Sequence, residues 1–150
     1  VFKWAPDSLR IAYVAILIGD VFELNITRDI KPSRRISRSL AGDEEENFAW
    51  SPDSARIAYI ADQLIINEFE LFTTTRDGGI TDVVSGPLVP GGRVQEFKWA
   101  PDNSGVGYIA DQDTITVEEL FASQPNGANN TLLTGVLVTG GDVFSFDWVP

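Results

Sequence analysis

One stretch of sequence recurs along the chain and constrains the fold more than any other feature. It occurs three times in full and begins a fourth time, as FKWAPDSLRIAYVA, FAWSPDSARIAYIADQ, FKWAPDNSGVGYIADQD and FSFDWVP. Each copy carries one tryptophan, and these are Trp4, Trp50, Trp99 and Trp148. Their spacings are 46, 49 and 49 residues, a period typical of solenoids, arrays and propeller blades.

Each full repeat reads as four short strands joined by turns. In the second repeat, Ser-Pro-Asp-Ser at 51–54 predicts a tight turn, because proline presets φ and the polar side chains can bond the local backbone. The glycines of Asp77-Gly78-Gly79 predict a second hairpin turn. The strands predicted from apolar runs and period-two alternation are residues 48–50, 57–61, 68–73 and 81–84.

The third repeat follows the same scheme. Its predicted strands are residues 94–99, 106–110, 117–122 and 131–133. Asn126-Gly127 is a strong hairpin signal, and the glycines and prolines of SGPLVPGG at 85–92 mark the crossover from the second repeat. The first repeat departs from the pattern, since its outer strand is basic and its crossover is acidic at 43–46.

The sequence therefore predicts an all-β fold built from antiparallel four-stranded blades of a β-propeller. The predicted blade periods are 1–46, 47–95 and 96–143, with 144–150 starting a fourth. Propellers usually close with about four to eight blades, so three should not close a ring. Because the chain starts and stops within first strands, we expect a segment of a larger propeller or a subunit completed by other copies. An open arc with exposed sheet surfaces is the third possibility.

The composition excludes several kinds of catalytic site and disfavours one class of partner. The 150 residues include no cysteine and no histidine, so neither a thiol nucleophile nor a Ser-His-Asp relay can form among them. There is no methionine, and no apolar run approaches the length of a membrane-spanning helix. The net charge of −11 would repel a phosphate backbone, which disfavours nucleic acid as a partner.

The motifs resemble the repeat of TolB-type β-propellers, also called WD40-like or PD40 repeats. The best match is Trp50-Ser51-Pro52-Asp53-Ser54 followed by Ile57-Ala58-Tyr59, with Glu70-Leu71-Phe72 and Asp77-Gly78-Gly79 beyond it. The resemblance extends over essentially the whole chain, although Asn103 and Gly107 depart from the pattern. It implies a bacterial periplasmic, secreted or cell-surface protein, or the non-catalytic propeller of a prolyl-oligopeptidase-like peptidase.

Two sets of recurring residues have a structural interpretation. A residue repeated in every blade serves the blade, so we expect the aspartates to stabilise turns and the aromatic residues to pack between blades. Sugar or base stacking on the tryptophans is the less favoured alternative. The predicted structural positions are Trp4, Asp7, Tyr13, Trp50, Asp53, Tyr59, Trp99, Asp102, Tyr108 and Trp148.

The connections on one side of the predicted propeller are strongly acidic. Two interpretations remain open, a solvated rim, which we favour, and a site for a basic partner or Ca²⁺. No loop has the spacing of an EF-hand. The candidate partner-binding residues are Asp20, Asp62, Gln63, Asp111, Gln112, Asp113 and Asp142.

A basic cluster distinguishes the first repeat. It could dock an acidic partner or the acidic side of another copy, although a solvated or locally paired strand is favoured. Its members are Arg28, Lys31, Arg34, Arg35 and Arg38. We therefore expect a non-catalytic, extracytoplasmic module for protein–protein interaction or self-association. The alternative is the gating propeller portion of a prolyl-oligopeptidase-like peptidase whose catalytic domain is absent.

Overall fold

The computed structural model describes residues 1–19, 21–28, 31–37, 40, 47–138 and 140–149. These residues form three four-stranded antiparallel sheets, each with its strands in sequence order. The first sheet contains β1 (Phe2–Trp4), β2 (Arg10–Leu17), β3 (Val21–Arg28) and β4 (Arg34–Ser37). The second contains β5 (Phe48–Trp50), β6 (Arg56–Ala61), β7 (Glu70–Thr75) and β8 (Thr81–Val83). The third contains β9 (Val94–Trp99), β10 (Val106–Ala110), β11 (Glu119–Ser123) and β12 (Thr131–Leu132).

This architecture confirms the predicted fold class, three four-stranded propeller blades that do not close into a ring. The main difference lies at β7 and β11, which each begin two residues later than predicted. The preceding loops explain the delay. Asn67 and Thr116 adopt positive φ of 66° and 64°, and their backbone amides bond the carboxylates of Asp62 and Asp111.

The turn between the first two strands of each blade is held by its aspartate. Asp7, Asp53 and Asp102 each accept a 2.9 Å hydrogen bond at Oδ1 from the backbone amide two residues later. The Ser51 hydroxyl also donates to Asp53 at 2.6 Å, and this bond is the main reason that the pKa of Asp53 lies below its usual value. The recurring carboxylates thus cap local turns.

The blades pack face to face through two apolar layers. Leu24 and Ile26 of the first blade meet Phe48, Tyr59 and Phe72 of the second. The second layer joins blades two and three in the same way, and its largest members are Ile60, Leu71, Phe97, Tyr108 and Phe121. In each layer a tyrosine stacks on a cross-strand phenylalanine, with ring centroids 5.5 Å apart. Burial of these aromatic rings stabilises the packing between blades.

A buried carboxylate lies at the start of β7. Glu70 is 8% exposed, and its Oε2 atom has no hydrogen-bond partner. Burial, together with the nearby Glu68 carboxylate, raises the pKa of Glu70 above its ordinary value of 4.5. The folded state therefore favours the protonated form.

We expect this carboxylate to make stability fall as pH rises. Because the folded-state pKa is raised, the stabilisation is complete below about pH 4.5 and is lost as pH increases through the folded pKa. The midpoint of urea unfolding should therefore decrease as pH rises above about 4.5, and Glu70→Gln should flatten that decrease. Glu96→Gln, at a half-exposed residue, is the matched control. If the urea midpoint of Glu70→Gln and that of the wild type change with pH in parallel, the expectation is contradicted.

Candidate functional site

Neighbouring blades are joined by a repeated hydrogen bond between their first strands. The indole Nε1 of each tryptophan donates to the backbone carbonyl that precedes the tryptophan of the blade before it. The pairs, each at 3.2 Å, are Trp50 to Lys3, Trp99 to Ala49 and Trp148 to Lys98. The contact gives the stack a direction, since each blade uses its tryptophan side to meet the preceding blade.

Residues 143–149 occupy the place of a first strand against the third blade. Lys98 Nζ donates to the Phe146 carbonyl and lies 5.2 Å from the centroid of that ring. Lys3 makes the same contact with Phe48: its Nζ donates to the Phe48 carbonyl at 2.8 Å and lies 5.1 Å from the centroid of the ring. A Cβ on Gly107 would lie only 2.6 Å from Phe146, so glycine is needed for this close approach.

The tryptophan side of the first blade is not covered. Phe2 and Trp4 are 62% and 57% exposed, whereas the equivalent Phe48 and Trp50 are 0% and 8% exposed. Strands β1 and β2 also present residues whose equivalents in the second and third blades are buried. We call this surface the open face, and it consists of Phe2, Trp4, Ile11, Tyr13 and Ala15.

The open face corrects one sequence-based prediction. Every tryptophan was expected to lie wedged against a neighbouring blade, and Trp4 does not, because no described residue packs where a preceding blade would lie. The first blade also lacks the stacked aromatic pair. Asn25 lies opposite Tyr13, in the position of Phe72 and Phe121. Position in the repeat sets the register of a residue, but a neighbouring blade decides its burial.

The predicted acidic rim divides into internal and exposed residues. Asp111 and Gln112 are buried, at 6% and 9% exposure. Asp111 accepts backbone bonds from Arg93 and Thr116, while Gln112 Oε1 accepts from Gly86 N at 2.9 Å. These two side chains serve the fold and offer little surface to a partner.

The remaining rim candidates are more accessible. Asp62 and Gln63 form internal bonds, to Asn67 N and Tyr59 Oη, yet Gln63 remains exposed. Asp113 and Asp142 are exposed as well. Asp20 lies outside the described residues, as does the acidic crossover at 43–46.

The structure brings Asp142 and Asp111 close to Glu118, which the sequence did not single out. Asp142 Oδ1 accepts a 3.0 Å bond from the Glu118 backbone amide. Burial chiefly raises the pKa of Glu118, and the two aspartates raise it further, whereas Arg93 opposes them. In the part of the chain that the structure describes, no three acidic side chains are grouped so as to hold a metal ion.

The basic cluster is partly paired. Arg35 Nη1 contacts Glu23 Oε1 at 2.9 Å, and Arg38 lies outside the described residues. Arg28, Lys31 and Arg34 line a cleft between the first two blades. Arg10 and Arg76, which belong to no sequence cluster, join them there.

Solved structures with this fold are propellers. A putative TolB from Agrobacterium tumefaciens superposes with a TM-score of 0.60 and 16% identity, over 86% of this chain and 46% of the other. TolB from Acinetobacter baumannii superposes with a TM-score of 0.56 and 13% identity, over 88% of this chain and 31% of the other. A puromycin hydrolase superposes with a TM-score of 0.60 and 15% identity, over 89% of this chain and 21% of the other.

These likenesses show the fold, and the chain spans less than half the length of each of the three structures. No family model matches the sequence. No curated protein matches it either. Among the described residues there is no helix long and apolar enough to cross a membrane.

Proposed function

Since this chain has the fold of TolB-type β-propellers, we propose that it is a non-catalytic propeller module that acts by protein–protein association through its open face. The observation that carries the proposal is the exposure of Trp4, at 57%, against 8% for the equivalent Trp50. The residues of the open face are those whose equivalents in the second blade are all buried. An exposed apolar surface of this kind marks an interaction site.

The opposite end of the stack is partly covered. Phe146 and Trp148 cover Gly107 on the third blade, and Trp148 makes the inter-blade indole bond there. The open face, by contrast, has no segment of chain packed against it among the described residues. When only the 150-residue chain is present, a second copy is the available occupant.

We expect the purified chain to self-associate through Trp4. Analytical ultracentrifugation over a range of concentrations should show a species at a multiple of the 16.4 kDa chain mass. Trp4→Glu should shift the population to the monomer, because it places a charge within the apolar face. Ile66→Glu, at a residue 81% exposed in the second blade, should leave the association unchanged.

Two results would count against this function. One is a chain that remains monomeric at the highest concentration reached. The other is an association that Ile66→Glu weakens as much as Trp4→Glu, since the contact would then not involve the open face. Circular dichroism and a thermal melt of each variant would establish that the blades remain folded.

A second candidate is the propeller portion of a peptidase-like hydrolase, in line with the likeness to puromycin hydrolase. In that case catalytic residues lie elsewhere in a longer parent chain. A parent sequence with G-x-S-x-G and a histidine after the last blade would favour this candidate. For either function we place the protein outside the bacterial cytoplasm. The absence of cysteine and the likeness to TolB propellers support that location.

A further inference from the structure

A cleft between the first and second blades gathers positive charge in an acidic protein. Its volume is about 290 Å³, and five of the eleven basic residues of the chain line it. They are Arg10, Arg28, Lys31, Arg34 and Arg76. The chain as a whole carries a net charge of −11, so this concentration of cations is local.

Strand topology explains why these residues meet. Arg10 begins β2, Arg28 ends β3 and Arg34 begins β4, so antiparallel pairing places all three at the same end of the first sheet. Lys31 lies in the connection between β3 and β4. Arg76 follows β7 in the second blade, and the packing of the two blades brings it to the cleft.

Two of the arginines are held in place. Arg10 is 8% exposed, and its Nη1 atom lies 3.2 Å from Asp7 Oδ2. Arg34 Nη2 donates to the Gly78 carbonyl at 3.2 Å, which ties the edge of the first blade to the turn of the second. The cleft is therefore prearranged by contacts that do not depend on a ligand.

The other cations leave the cleft with excess positive charge. Among the described residues, Asp77 is the one acidic residue of the lining, and its Oδ1 accepts bonds from Thr75 Oγ1 at 2.6 Å and Gly79 N at 3.1 Å. Lys31 and Arg76 form no ion pair with any described residue. Asp7 pairs with Arg10 and Asp77 offsets a second positive charge, so Lys31 and Arg76 still contribute positive charge that no described carboxylate pairs with.

We propose that this cleft binds an acidic peptide segment of a protein partner, with its carboxylates at Lys31 and Arg76. The lining favours a peptide over a bare anion, because it includes the apolar residues Ile26 and Pro32 as well as the cations. The planar guanidinium group of arginine can form two parallel hydrogen bonds with a carboxylate. A nucleic acid would meet the net negative charge of the surrounding protein. The proposal goes beyond association through the open face and is independent of it.

Fluorescence anisotropy tests this inference with a labelled peptide that carries several glutamates around one leucine. A matched peptide with glutamine in place of glutamate tests the need for charge, and inorganic phosphate is the competing small anion. Lys31→Glu and Arg76→Glu should each weaken binding by about tenfold or more at low salt. Arg93→Glu, at an exposed arginine outside the cleft, should leave binding nearly unchanged.

Saturable binding of the glutamate peptide, weakened by the two cleft variants and by added salt, would support the proposal. Equal binding of the glutamine peptide would overturn it. An equal loss of peptide affinity in Arg93→Glu, or the absence of saturable binding, would also overturn it. The same holds if phosphate displaces the peptide and itself binds the protein tightly. Sedimentation of Lys31→Glu and Arg76→Glu separates this outcome from the open-face function, because neither residue belongs to the open face.

Discussion

Replacing Trp50 by alanine is expected to lower the free energy of unfolding by about 3–5 kcal/mol. The side chain is 8% exposed and belongs to the apolar layer between the first and second blades. Its indole Nε1 also donates to the Lys3 carbonyl at 3.2 Å. Truncation would leave a cavity between the blades and remove the hydrogen bond that links their first strands.

Trp4 provides the matched control for this loss. It occupies the same position in the repeat but is 57% exposed. Trp4→Ala should therefore cost less than about 1 kcal/mol. Urea unfolding of the two variants, measured at a concentration at which both are monomeric, would give the comparison. Equal losses would mean that repeat position, and not burial by a neighbouring blade, determines the contribution of the tryptophan.

Tyr108→Phe is expected to lower the free energy of unfolding by about 1–3 kcal/mol, although it removes a single oxygen atom. The side chain is fully buried. Its hydroxyl donates to Gln112 Oε1 at 2.8 Å and accepts from Gly86 N at 3.1 Å, and Asn130 Nδ2 donates to it as well. Loss of the hydroxyl would remove three hydrogen bonds at once, and the bonds that remain are those of Gly86 N to Gln112 Oε1 at 2.9 Å and of Asn130 Nδ2 to the Val84 carbonyl at 3.2 Å.

The control for this variant is Tyr13→Phe in the first blade. Tyr13 is the equivalent residue of the repeat, but it is half-exposed and lies on the open face. Its replacement should change stability by no more than about 0.5 kcal/mol. If both tyrosine variants lose the same stability, the hydroxyl network between the second and third blades contributes nothing beyond the packing of the ring.

The strands and turns could be predicted from sequence because their signals are local. The Asp53 turn depends on a few adjacent residues, and the strand at Val106–Ala110 follows from an unbroken apolar run. The starts of β7 and β11 were predicted two residues too early, since the loops before them are shaped by hydrogen bonds to Asp62 and Asp111. Those bonds span five residues and leave no periodic trace in the sequence.

The candidate sites were less accessible to sequence reasoning. Asp111 and Gln112 looked like rim residues but are buried within the fold. The sequence indicated only Arg28, Lys31 and Arg34 of the basic cleft. Arg76 comes from the second blade, and Arg10 comes from another strand of the first. Nothing in the local pattern of either residue marks it as part of a cleft.

The sequence alone determined the repeat, the strand order and the blade to which each residue belongs, because alternation and turn chemistry act over a few neighbouring residues. The tertiary structure decided which copies of a repeated residue are buried and which distant charges meet. Trp4 and Trp50 have the same local sequence pattern, yet only Trp50 has a preceding blade against which to pack. Burial is a property of two surfaces in contact, and one segment of sequence specifies only one of them.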